Sequence, residues 1–377
     1  MSGEGLIGVS LVSTISYEGS LRIELRQVPV APPAADEVVI RVQACAVNPS
    51  DMSLMLGPVD ADTLRVDRVS GRIVITGNIP ADRLPALKRR WDQPVAIGNE
   101  GAGTVVAAGS GVSHLKGVKC AAFPMSGMFA TYRVVNTADL IALPDDLEPE
   151  EAAAMFVNPL TVLAMLETLQ REGHSAIVHS AAASNLGQML VRMCGVEKIP
   201  LVNIVRHEEQ VGLLRALGAQ WVVSSSSPEF DRELFEAIEA TGATLLFDAV
   251  GGGGLTDRVL RTMEAVGEKN LSAFSRYGSK QPKQAYVYSN LDPGPTQLSR
   301  AYGMSWNVSP FSLPFILEKL GRDVRARMQE RVLQDIRSTF LSRYTGTIGL
   351  EQLLDLEMVR KITRRATASK YLLDPSR

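Results

Sequence analysis

The stretch SAIVHSAAASNLGQMLVRMCGVEKIPLVNIVRHEEQ, residues 175–210, decides the fold. SAIVHS is a short apolar strand, NLGQMLVRMC continues as a helix, and LVNIV is a strand again. The same alternation runs on through EEQVGLLRALG, WVVSS, ELFEAIEATG, ATLLFDAV, LTDRVLRTMEAV and QAYVYSNL. Short apolar strands separated by helices of about ten residues predict an α/β fold with a parallel, doubly wound sheet. Farther on, Leu320, Val324, Met328, Val332, Ile336 and Phe340 recur at steps of four. They predict one helix over 314–340 with a buried stripe.

Residues 1–148 have a different rhythm. LRIELRQVPV, DEVVIRVQACAVN and AGTVVAAGSGV cluster β-branched residues between Gly, Pro and Asp, so strands and turns are expected. The irregular stretch 57–96 predicts a short strand at RIVIT and a short helix at ADRLPALKRR. PEEAAAMFV and LTVLAMLETLQ read as helices broken at Asn158-Pro159, because proline disfavours helix in the residue before it. KYLLDP is a candidate last strand. At 377 residues two domains are expected.

Composition narrows the function classes. Hydrophobic residues make up 45% and charged ones 21%, as in an ordinary globular protein. A formal net charge of −2 offers no electrostatic footprint for nucleic acid or an anionic membrane. MSGEGLIGVSLVSTIS lacks a basic n-region, and no apolar run reaches membrane-spanning length. Cys45, Cys120 and Cys194 are odd in number and widely spaced, which argues against a disulfide framework and for a reducing, cytoplasmic setting.

The chemistry concentrates in the loop after the first strand of the alternation. In a dinucleotide fingerprint three glycines would stand at positions 182, 184 and 187. Here they are Ala182, Ser184 and Gly187. Small residues still let the backbone approach a pyrophosphate at a helix N-terminus. Ser180, Ala183, Asn185 and Leu186 belong to the same cradle. At the end of the next strand an NAD enzyme carries an acid; LVNIVRHEEQ offers Arg206, which suits a 2′-phosphate and so NADP(H). A loop cap beside Glu208 and Glu209 is the alternative role for Arg206. FDAVGGGG brings Asp248, Ala249 and Gly251 to the carboxyl end of a strand, where such sheets bind ligands. A loose glycine turn reads equally well there.

VNPSD (47–51), GNEGAGTVVAAGSGV (98–112), AAAMFVNPLT (152–161), the AAASNLG loop, LLRALGA (213–219) and FDAVGG, in this order, resemble the medium-chain dehydrogenase/reductase superfamily. The similarity is to its zinc-free quinone reductase and enoyl reductase branches. It implies a mostly-β GroES-like catalytic domain from 1–148 and 341–377, and a Rossmann domain over 149–340, with the active site in the cleft between them. Zinc-dependent members carry Cys and His where this chain has Asn48 and Asn99, and amides are poor zinc ligands. His114, His174, His179 and His207 share no ligand spacing and read as surface or strand-end residues, so no metal is expected.

The resemblance further implies hydride transfer from NADPH to an electron-poor small molecule, a quinone or α,β-unsaturated carbonyl. Alternatives are a 2-enoyl thioester reductase and a non-catalytic nucleotide-binding protein. It places Asn48 by the nicotinamide as an orienting catalytic residue. Asn158, Thr161, Tyr288, Asn290 and Lys370 fall on cofactor-facing positions. The tyrosine that thioester reductases carry after NPSD is Val59 here. Tyr132, Tyr277 and water are the alternative proton sources, and Tyr277 and Arg276, in the extra segment 265–283, are candidates to reach the site. Relatives pair through an edge strand, and SWNVSPFSLPF (305–315) predicts the same homodimer.

Overall fold

The structure is a computed structural model and describes residues 5–364 and 370–377. It divides into two compact units, Met1–Val157 with Leu341–Arg377, and Asn158–Phe340. The first boundary falls after Val157 rather than after 148. The Pro149–Ala152 helix is one turn long, and residues 152–156 are buried within the N-terminal unit. There the Ala46 N–H donates to the Ala153 carbonyl at 3.3 Å. The helix break likewise lies at 153–156. Asn158 and Pro159 form the first turn of the Val157–Arg171 helix, where a proline's missing donor costs nothing.

The N-terminal unit holds a five-stranded and a seven-stranded sheet. Alternating apolar residues, among them Leu11, Ile23, Ile40, Phe129 and Leu373, meet in its core. The 57–96 stretch adds more β-structure than expected. RIVIT lies in the Arg72–Asn78 strand, which forms a hairpin with Arg65–Val69 and extends the five-stranded sheet beside Ser20–Pro29. Arg65–Val69 is a charged, exposed edge strand, a composition that hides strands from pattern reading and discourages edge pairing. Leu84–Arg90 is 3-10 helix rather than α-helix. In the seven-stranded sheet the C-terminal Tyr371–Leu373 strand sets Leu373 opposite Cys45 of Glu37–Ala46. Val47 N–H donates to the Tyr371 carbonyl at 3.1 Å, which seats Lys370 beside Asn48.

The second unit contains the predicted parallel sheet. Its order is Trp221–Ser224, Leu201–Val205, Ile177–Ser180, Leu245–Asp248, Lys283–Val287 and Trp306–Pro310. Every neighbouring pair is parallel. Counted along the chain this is 3-2-1-4-5-6, so the order reverses beside Ile177–Ser180 and opens a crevice at the carboxyl ends. The expected 314–340 helix is two, Leu313–Leu320 and Arg322–Gln334, divided at Gly321. All six stripe residues are buried.

Candidate functional site

The carboxyl edge of the parallel sheet is built from small residues and saturated carboxylates. Ala181 takes a left-handed φ of 50° and turns the chain off the first strand. Ser184 caps the Asn185–Glu197 helix by accepting the Gly187 N–H at 3.1 Å. A Cβ on Gly187 would lie 2.1 Å from the Ala182 carbonyl oxygen, so only glycine allows this closeness of helix and strand. Ala182, Ala183 and Leu186 are buried, while Ser184 and Asn185 remain half-exposed around the helix N-terminus. That end of the helix, with its partial positive charge, is where a pyrophosphate fits.

Asp248 is fully buried, and its carboxylate is used within the fold. It accepts from Ser180 Oγ at 2.5 Å, Val250 N at 2.8 Å, Gly251 N at 3.2 Å and Thr256 Oγ1 at 2.8 Å. The Ala249 N–H in turn donates to Ser180 Oγ at 2.7 Å. Asp248, expected to touch a cofactor directly, therefore acts by fixing the FDAVGG turn. Arg206 has a pinned backbone and an exposed side chain. Its N–H donates to Gln210 Oε1 at 2.9 Å, and its carbonyl accepts from Ser226 Oγ at 2.6 Å. Among the described residues no ion pair joins its guanidinium to Glu208 or Glu209. Asn158 is half-buried and Thr161 buried in the first turns of the Val157–Arg171 helix.

His179 is the residue that pattern reading missed. It lies at the end of the Ile177–Ser180 strand, but it is fully buried. Its Nε2 sits 2.8 Å from the Tyr288 hydroxyl, and burial pushes its pKa down to about 3. Nothing in the sequence pairs it with Tyr288, because the Leu245–Asp248 strand lies between their two strands in the sheet. His174 is also sequestered at its side chain, against Thr244 Oγ1 at 2.7 Å.

The N-terminal unit gathers the residues of NPSD, GNE and the last strand into one buried polar cluster. Asn48, Asp51, Glu100 and Lys370 are all buried. Lys370 Nζ donates to Asn48 Oδ1 at 3.0 Å, and Asn48 Nδ2 donates to Glu100 Oε1 at 2.8 Å. The second Glu100 oxygen accepts the Phe156 and Val157 N–H groups at 2.8 and 3.0 Å. Asp51 accepts from the Asn48 N–H at 2.8 Å and, on its other oxygen, from Asn99 N and Nδ2 at 2.8 and 2.7 Å. Burial raises the Asp51 pKa to about 7 against these hydrogen bonds. Burial also raises Glu100 and lowers Lys370, each opposed by the other's charge. The amides of Asn48 and Asn99 bind carboxylates here. Among the described residues no group of three or more His, Cys, Asp or Glu is arranged to hold a metal.

Tyr277 is a correction. It sits where the chain enters Lys283–Val287, its carbonyl accepting the Met304 N–H at 3.1 Å. That is the amino-terminal edge of the sheet, a strand length of roughly 15 Å from the carboxyl edge. Its ring is exposed and stacks under Arg276, 4.9 Å from the guanidinium carbon. The extra segment's role is instead a staple. Glu264 on the Leu255–Lys269 helix pairs with the wholly buried Lys283 at 2.5 Å.

Residues 34–145 match the alcohol dehydrogenase GroES-like domain family. The rat synaptic vesicle membrane protein VAT-1 homolog is 29% identical over 245 residues, 63% of this chain and 52% of its own. The bovine mitochondrial enoyl-[acyl-carrier-protein] reductase is 27% identical over 245 residues, 62% of this chain and 57% of its own. The chain thus spans little more than half the length of these relatives. A crystal structure of Escherichia coli quinone oxidoreductase complexed with NADPH superposes with a TM-score of 0.69, covering 98% of this chain and 100% of that one. At 18% identity that likeness is one of fold. Residues 34–145 thus carry the GroES-like domain family's pattern, and the 3-2-1-4-5-6 parallel sheet that follows completes a fold of the same kind as that oxidoreductase's.

Proposed function

We propose that the protein is an NADP(H)-dependent reductase acting on a quinone or an α,β-unsaturated carbonyl. The observation that carries this reading is the carboxyl edge of the parallel sheet. It combines a helix N-terminus approached through Gly187 with an exposed Arg206 at the end of the adjacent strand. The fit is to a phosphorylated dinucleotide: small residues flank the helix N-terminus, and the exposed Arg206 at the second strand's end has no ion-pair partner among the described residues. Bound there, the nicotinamide nucleotide would supply hydride. The chain's own residues bind and orient it. Ser180 and Asp248 hold the FDAVGG turn in place, and Arg206 grips the 2′-phosphate. Acceptors with an electron-poor carbon need only hydrogen-bond donors at the oxygen that gains charge. The likeness to a quinone oxidoreductase that binds NADPH supports this reading.

A second reading, reduction of 2-enoyl thioesters, draws on the bovine enoyl reductase relative. Against it stands Val59, which packs on Gly77 of the hairpin and supplies no hydroxyl at the position of that branch's tyrosine. A fluorescence titration with NADPH and NADH tests the common core. Tight NADPH binding, weakened about ten- to a hundredfold in Arg206→Ala with little change for NADH, is the expected result. Binding of neither nucleotide overturns the proposal. A panel of quinones, enones and enoyl thioesters then separates the two readings.

A further inference from the structure

We propose that His179 is a positioning residue that holds Tyr288, and through it the 288–290 turn, against the carboxyl edge of the sheet. The inference rests on nucleotide binding at that edge. The two rings stack with centroids 5.8 Å apart and planes 11° from parallel, and Nε2 meets the Tyr288 hydroxyl at 2.8 Å. Burial keeps the imidazole neutral and the phenol protonated near neutral pH, so the link is a neutral hydrogen bond whose geometry does not change with pH in that range.

The turn it holds lies directly on the candidate site. The Tyr288 N–H donates to the Asp248 carbonyl at 2.9 Å. The Ser289 carbonyl oxygen comes within 2.7 Å of where a Cβ on Gly251 would be. Gly251 N–H binds the Asp248 carboxylate, which binds Ser180 Oγ, the neighbour of His179 in sequence. The contacts therefore close a ring through His179, Tyr288, Ser289, Gly251, Asp248 and Ser180. Two phenylalanines would fill the same space without burying any polar group. Instead the fold buries an imidazole whose Nδ1 has no hydrogen-bond partner among the described residues. An unpaired buried nitrogen costs stability, and its retention points to a role beyond packing.

The test is NADPH titration and thermal denaturation of wild type, His179→Leu, His179→Gln, Tyr288→Phe and the His179→Leu/Tyr288→Phe double variant. Loss of one neutral hydrogen bond corresponds to roughly a fivefold effect. The Leu and Phe variants are each expected to weaken NADPH about five- to tenfold, with the double variant no weaker than either single one. His179→Gln, whose amide reaches the place of Nε2, is expected to restore most of the affinity. Thermal midpoints should not follow the affinities. If His179→Leu fails to fold, Tyr288→Phe, which removes one oxygen, carries the test. Wild-type affinity in Tyr288→Phe overturns the inference and leaves NADP(H) binding standing, and so do effects that multiply in the double variant. A wild type that binds no nucleotide overturns both.

Discussion

Each unit buries charge, and the two do so in opposite ways. In the parallel-sheet unit Lys283 and Glu264 touch at 2.5 Å, and Ser279 Oγ and the Gln281 carbonyl accept the remaining ammonium protons at 3.0 and 2.8 Å. In the GroES-like unit the Asn48 amide links Lys370 to Glu100, and Asp51 acts on Lys370 as a second, weaker charge. A direct, fully hydrogen-bonded pair locks two segments together. In the second cluster burial, with the Glu100 charge nearby, lifts the pKa of Asp51 to about 7 although Lys370 opposes the shift. The first arrangement staples the extra segment to its helix. The second ties Lys370 to a carboxylate through a neutral amide.

Breaking the direct pair gives the largest expected effect. Lys283→Met strands a buried carboxylate and should cost about 3–5 kcal/mol in urea denaturation. A loss below about 1 kcal/mol would mean that the pair is no staple. The next effect is pH-dependent. Folding raises the Asp51 pKa from 3.8 to about 7, so the folded state binds its proton more tightly than the unfolded one. Its contribution to stability is full in acid, falls as pH rises between about 4 and 7, and levels off above. The drop is at most about 4 kcal/mol. Denaturant midpoints at several pH values in wild type and Asp51→Asn check this; equal slopes would refute it.

Lys370→Met sharpens the contrast, because it breaks one hydrogen bond to a neutral amide. It should cost about 1.5–3 kcal/mol, less than Lys283→Met in the same experiment. The smallest effect belongs to the exposed amino-terminal edge. Tyr277→Ala should stay within about 0.5 kcal/mol of wild type and leave NADPH affinity unchanged. A changed affinity would restore Tyr277 to the site.

Much of the second unit was legible, since parallel strands covered on both faces are short apolar runs and turn signals divide them. Arg206 and the Ser180–Gly187 loop were legible for the same reason, being local to one strand end. The Arg65–Val69 edge strand was not, because an exposed edge needs no apolar face. The break at Gly321 was missed because a stripe at steps of four continues across it. The Asn48 and Lys370 expectations came from resemblance, and neither residue's partner follows from local pattern.

The sequence by itself determined the alternation of strand and helix, the small-residue loop and the cation after the second strand, because these depend on neighbours within a few residues. Only the tertiary structure decided which polar groups meet. Lys370 reaches Asn48 across 322 residues and His179 reaches Tyr288 across 109. Tyr277 falls on the far edge of its sheet. Such meetings depend on strand order and register, which set where each side chain emerges, and no local periodicity encodes them.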